Sequence, residues 1–171
     1  MLLRNLVAFF VGFALLSAPV AATAADCGPS TPEERKQALE YIQDFEANPL
    51  GPNEAREREW VIEWIIEVPD IHLHMCQNIA NDANVDKTET GSLIAAEILS
   101  QVAFLLQNPD KQGDRLAEYR AGVEGALRVY EVLLRADAKY RSPYLDDLLQ
   151  RREAGTLAKF VKERAKASCK N

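Results

Sequence analysis

The sequence predicts an all-α protein, a single compact bundle of about six to seven helices arranged as helical hairpins. Three observations carry that expectation. Apolar residues recur at steps of three and four through most of the chain, as in Leu116, Tyr119, Val123, Leu127, Tyr130 and Leu134. Pairs such as Asn48-Pro49, Asn108-Pro109 and Ser142-Pro143 punctuate it. The two-residue alternation that a half-buried strand requires is almost missing.

Taken in order, Thr31-Pro32-Glu33-Glu34 combines an N-cap, a proline at the first helical position and a capping-box glutamate. A helix therefore starts there and runs through Leu39, Ile42 and Phe45 to Asn48-Pro49. A second begins near Pro52 or Asn53 and reaches Val68. At 100° per residue, Trp60, Trp64, Val68, Val61, Ile65, Ile62 and Ile66 cover an arc of about 240°, so this helix is expected to be mostly surrounded. The segment after Pro69 reads as a third helix with Leu73, Cys76 and Ile79 inward. A polar turn, "NDANVDKTETG", leads to a helix from about Glu89 to Gln107 that is apolar nearly all round and is expected at the centre.

That helix stops at Asn108-Pro109 much as the first stops at Asn48-Pro49. Leu39, Ile42 and Phe45 align with Leu99, Val102 and Leu105, but the likeness fades on either side. Two helices with similar ends explain it better than a repeat. The next helix runs from about Asp114 to Tyr140, with Gly122 and Gly125 pointing to close helix packing. Ser142-Pro143 caps another from about Tyr144 to Arg152, and "TLAKFVKERAKA" forms a short amphipathic last helix after Gly155.

Residues 1–24 read as a cleaved signal peptide: one basic residue at Arg4, the apolar run from Leu6 to Leu16, then Ala22-Thr23-Ala24 as a cleavage motif. The run is short for a membrane span, which needs about 20 apolar residues. Asp26 before Cys27 argues against lipidation, so no membrane anchor is expected after cleavage. Residues 25–171 then form a single all-α domain, periplasmic or secreted. Its formal charge is one unit more negative than the −6 of the whole chain, because Arg4 leaves and no acid does. An acidic surface without a basic block argues against nucleic acid and anionic lipid as partners.

Export frames the three cysteines, since extracytoplasmic thiols tend to pair. Cys27 and Cys169 lie near the two ends of the mature chain, and domain termini often lie close together, so Cys27 with Cys169 is the leading disulfide and Cys76 with Cys169 the alternative. The stretch "PDIHLHMC" holds both histidines and Cys76. On a helix His72 and Cys76 share a face while His74 points about 200° away. Those two are the candidate metal ligands, for zinc or copper on ligand-softness grounds. Further ligands would have to come from Asp70, Asp82, Cys27 or Cys169, whereas packing inside a bundle needs none.

No Gly-rich phosphate loop, Gly-x-Ser-x-Gly or paired-cysteine motif occurs. Glu59, Glu63 and Glu67 beside Trp60 and Trp64 have the residue types of a sugar or amine cleft, but an acid stripe on an apolar helix is ordinarily its solvated edge. No catalytic residue is assigned. The reading that remains is an exported non-enzymatic domain binding another envelope protein or a peptide, with metal or small-ligand binding around His72 and Cys76 as the alternative.

Overall fold

The computed structural model describes residues 28–76, 79–80 and 90–169. The expected signal peptide, Cys27, Asp82 and most of the polar turn lie outside the described residues. Among those described, six α-helices follow one another and no strand occurs: α1 (Pro32–Ala47), α2 (Glu54–Glu67), α3 (Thr90–Gln107), α4 (Arg115–Ala136), α5 (Pro143–Glu153) and α6 (Leu157–Ser168). The all-α bundle is as expected.

Local chemistry sets the helix ends. The Thr31 hydroxyl accepts from the Glu34 amide at 3.2 Å, and the Glu34 carboxylate accepts from the Thr31 amide at 2.8 Å, closing the capping box of α1. Asp114 caps α4 by accepting from the Ala117 amide at 3.2 Å, and Ser142 caps α5 ahead of Pro143. Between α5 and α6 the chain turns at Gly155, whose φ of 69° lies in the left-handed region.

The centre of the bundle is the α3–α4 pair. Ala96, Leu99 and Val102 of α3 are buried with Val123, Ala126, Leu127 and Tyr130 of α4. Each fully buried Val or Leu contributes about 1.5–3 kcal/mol. α1 lays Ala38, Ile42 and Phe45 on this pair, α2 adds Val61 and Trp64, and α5 and α6 close the other side with Leu145, Leu148, Leu157 and Val161. The expected role of Gly122 and Gly125 holds. A Cβ on Gly122 would stand 2.8 Å from the Glu97 carbonyl, and one on Gly125 would overlap the Ser100 side chain.

α2, expected to be mostly surrounded, buries only Glu57, Val61 and Trp64 and leaves Ile66 77% exposed, because it packs on the bundle along one flank. Beyond this, two elements differ in kind or extent. The helix expected after Pro69 does not form: residues 71–76 carry no regular structure. Stronger long-range partners take over there, and the segment becomes a strap pinned at successive points. Asp70 accepts from the Ser30 amide at 2.8 Å and from Arg35 at 2.6 Å; the His74 amide donates to Glu118 at 3.2 Å; Cys76 is bonded to Cys169; and the Tyr144 hydroxyl donates to the Ile79 carbonyl at 2.7 Å. Burial opposes the charge on Asp70, but the bonds from Ser30 and Arg35 outweigh it and hold the carboxyl below its ordinary value. The second difference is at the end of α4. It stops at Ala136, where Asp137 turns back to accept from the Lys139 amide at 2.9 Å and a 3₁₀ turn follows.

Candidate functional site

The residues singled out in the sequence do not assemble into a site. His72 is exposed. His74 is half-buried, with Nδ1 2.9 Å from Glu118 Oε2. Cys169 pairs with Cys76 across a Cα–Cα distance of 5.4 Å, which corrects the expected Cys27–Cys169 bridge. The strap brings Cys76 under the end of α6, and proximity in space outweighs proximity to the chain ends. The same bond removes the thiolate from the candidate His72–Cys76 metal pair. Among the described residues no group of three His, Cys, Asp or Glu side chains is arranged to hold a metal ion.

Nor do the aromatic rings of α2 line a cleft with the acid stripe. Trp60 and Trp64 stack on each other at 5.9 Å, Tyr41 meets Trp60 edge-on at 5.4 Å, and Glu59, Glu63 and Glu67 are exposed.

Glu118 is fully buried and was not anticipated as important. Its carboxylate accepts from the His74 amide, His74 Nδ1 and, at 3.0 Å, the Gly113 amide. It stands in the first turn of α4, where the helix dipole also favours a negative charge. The arrangement locks the strap to the start of α4.

A half-open groove of about 320 Å³ lies where α1 crosses the α3–α4 pair. This is at the lower end of the roughly 300–1,000 Å³ typical of ligand sites. Its walls are Ile42 from α1, Ala103 and Phe104 from α3 and Ala121 from α4; Gln43, Gln107 and Glu124 add polar groups, and Glu46, Ser100 and Arg128 complete it.

The last three form a knot joining the three helices. Arg128 donates from Nε and Nη2 to the two oxygens of Glu46, both at 2.7 Å, and the buried Ser100 hydroxyl donates to the same carboxylate. The Glu46 bonds come first in holding the Arg128 guanidinium even more firmly protonated than usual. Ser100 reaches Glu46 only because Gly125 leaves it room. A pair this open to water adds little stability, so its effect is to fix the helices' positions beside the groove. Glu46 and Arg128 are 82 residues apart, and no local pattern announces them.

Among the described residues no helix is long and apolar enough to cross a membrane. Comparison with family models, with curated proteins and with solved structures finds no match to this chain.

Proposed function

We propose that this chain is an exported, non-enzymatic helical domain that binds a peptide segment of another envelope protein in the groove between α1, α3 and α4. The observation that carries the reading is the groove itself, a concave surface in which Ile42, Ala103, Phe104 and Ala121 are set among six polar side chains, framed by the Glu46–Ser100–Arg128 knot. A preorganised frame lowers the ordering cost that a bound segment imposes. The Cys76–Cys169 disulfide favours an oxidising compartment, in line with the signal peptide read from residues 1–24.

The test is selection from a random-sequence peptide library, followed by titration of the selected peptides against the chain and against Ala121→Trp. The bulky ring enters the groove from a half-buried position that the core does not use. Selected peptides are expected to bind the unmodified chain and to lose at least about tenfold in affinity against the variant, roughly 1.4 kcal/mol. Equal binding to both would place recognition elsewhere and defeat the proposal.

A further inference from the structure

We infer that the outer faces of α2 and α6 are complementary halves of one interface, through which copies of this chain associate head to tail; the inference stands apart from the groove. Charge, spacing and helix polarity carry it.

α2 holds Glu54, Glu57, Glu59, Glu63 and Glu67 against Arg56 and Arg58, whereas α6 holds Lys159, Lys162, Arg164 and Lys166 against Glu163. An acidic helix and a basic one thus stand in a single chain of net charge −6. On α2, Arg58 takes up Glu54 at 3.2 Å and Arg56 takes up Glu57 at 3.9 Å. The exposed Glu59, Glu63 and Glu67 form no ion pair among the described residues, and neither do the exposed Lys159, Lys162 and Lys166. Glu163 flanks the lysines, but it lies close enough to Arg151 of α5 to help hold that guanidinium protonated.

The two rows match in length. At 100° per residue the three acids fall within about 80° of arc and the three lysines within about 60°, and at 1.5 Å per residue the rows run about 12 Å and about 10 Å along their helices. Laid antiparallel, α2 of one copy and α6 of the next bring Glu67 to Lys159, Glu63 to Lys162 and Glu59 to Lys166.

Helix polarity selects that direction. Glu67 closes α2, whose last turn has no basic residue, and Lys159 stands in the first turn of α6, which has no acid. Each charge opposes the dipole of its own helix, and the antiparallel pairing sets each beside an opposite charge and an opposite helix end. Ile66, 77% exposed, borders the acid row, and lysine stems cover such apolar surface while their ammonium groups stay in water.

α2 packs on α1 and α3, and α6 on α4 and α5, so the rows stand on opposite flanks of the α3–α4 pair. The interface is therefore heterologous: each contact leaves one row open at either end, and copies add in series. Exposed ion pairs are individually weak and two acidic molecules repel at a distance, so the association is transient and salt-sensitive.

The test is sedimentation velocity of the purified chain from about 10 µM to about 1 mM, in about 50 mM and about 500 mM salt. The average sedimentation coefficient is expected to climb with concentration in low salt and to stay at the monomer value in high salt. Glu63→Lys and Lys162→Glu, both at exposed positions, are each expected to weaken self-association at least about tenfold without moving the melting temperature. An equimolar mixture of the two variants is expected to associate where neither does alone, because each row then finds its complement on the other variant. A monomer under all conditions, association indifferent to salt or to both reversals, or a mixture no better than either variant would overturn the inference. A chain that stays monomeric but sediments with phosphatidylglycerol vesicles, and loses them in Lys162→Glu, would overturn it too and give the lysines to an anionic surface.

Discussion

Replacing Glu97 by glutamine is expected to stabilise the protein, and to do so only above a defined pH. Glu97 lies in the α3–α4 seam, 7% exposed, with its Cγ against the backbone of Gly122. Burial raises its carboxyl from an ordinary 4.5 to about 7. The folded chain therefore holds a proton that the unfolded chain releases between those two values. Stability attributable to this group is full below about pH 4.5, declines as pH rises from 4.5 to 7 and levels off above about 7. A shift of this size corresponds to about 3 kcal/mol at the plateau. Glutamine keeps the side chain's shape and carries no charge, so Glu97→Gln is expected to gain up to that amount at pH 8 and close to nothing at pH 4.5. Urea denaturation followed by the fluorescence of Trp60 and Trp64, run on both proteins across this range, isolates the effect, because every other titrating group cancels in the difference. A difference that stays constant from pH 4.5 to 8 would refute the reasoning, and a loss at pH 8 would reverse it.

Three other substitutions test separate parts of the structure. Gly125→Ala drives a methyl into Ser100 and is expected to cost about 1–3 kcal/mol in thermal denaturation, despite alanine's better helix propensity; an unchanged or raised melting temperature would show the seam to be looser than described. Cys169→Ser opens a bridge between residues 93 apart in sequence and is expected to cost about 2–4 kcal/mol, while a non-reducing digest of the parent yields the Cys76–Cys169 peptide; a Cys27–Cys169 peptide would contradict the pairing. Glu118→Gln weakens the acceptor shared by His74 and Gly113 and is expected to cost about 1–3 kcal/mol, with faster hydrogen exchange at those two amides. Unchanged protection would mean that the strap is held without it.

What was legible in the sequence was what local chemistry decides. The Thr31 capping box, the stops at Asn48-Pro49 and Asn108-Pro109, and the glycines of α4 all act over a few residues, and all stand where the pattern placed them. The strap was misread because Ile71, Cys76 and Ile79 are buried in either conformation. Its partners Glu118 and Cys169 lie 44 and 93 residues away and leave no trace in the local period. The cysteine pairing failed for the same reason: the closeness of chain ends is a general tendency, and the route of the strap overrides it. The Glu46–Arg128 clamp could not be found from spacing, because it depends on how α1 crosses α4.

The central claim is that recognition happens at the groove of α1, α3 and α4. Its most direct test is backbone amide chemical-shift mapping of the chain during titration with a selected peptide. The account predicts that the largest shifts cluster at Gln43, Phe104, Gln107, Ala121 and Glu124, with Ser100 and Arg128 following as the knot responds. Shifts concentrated instead on the exposed side of α2 around Ile66, or along the strap from Ile71 to Cys76, with the groove residues unmoved, would contradict it.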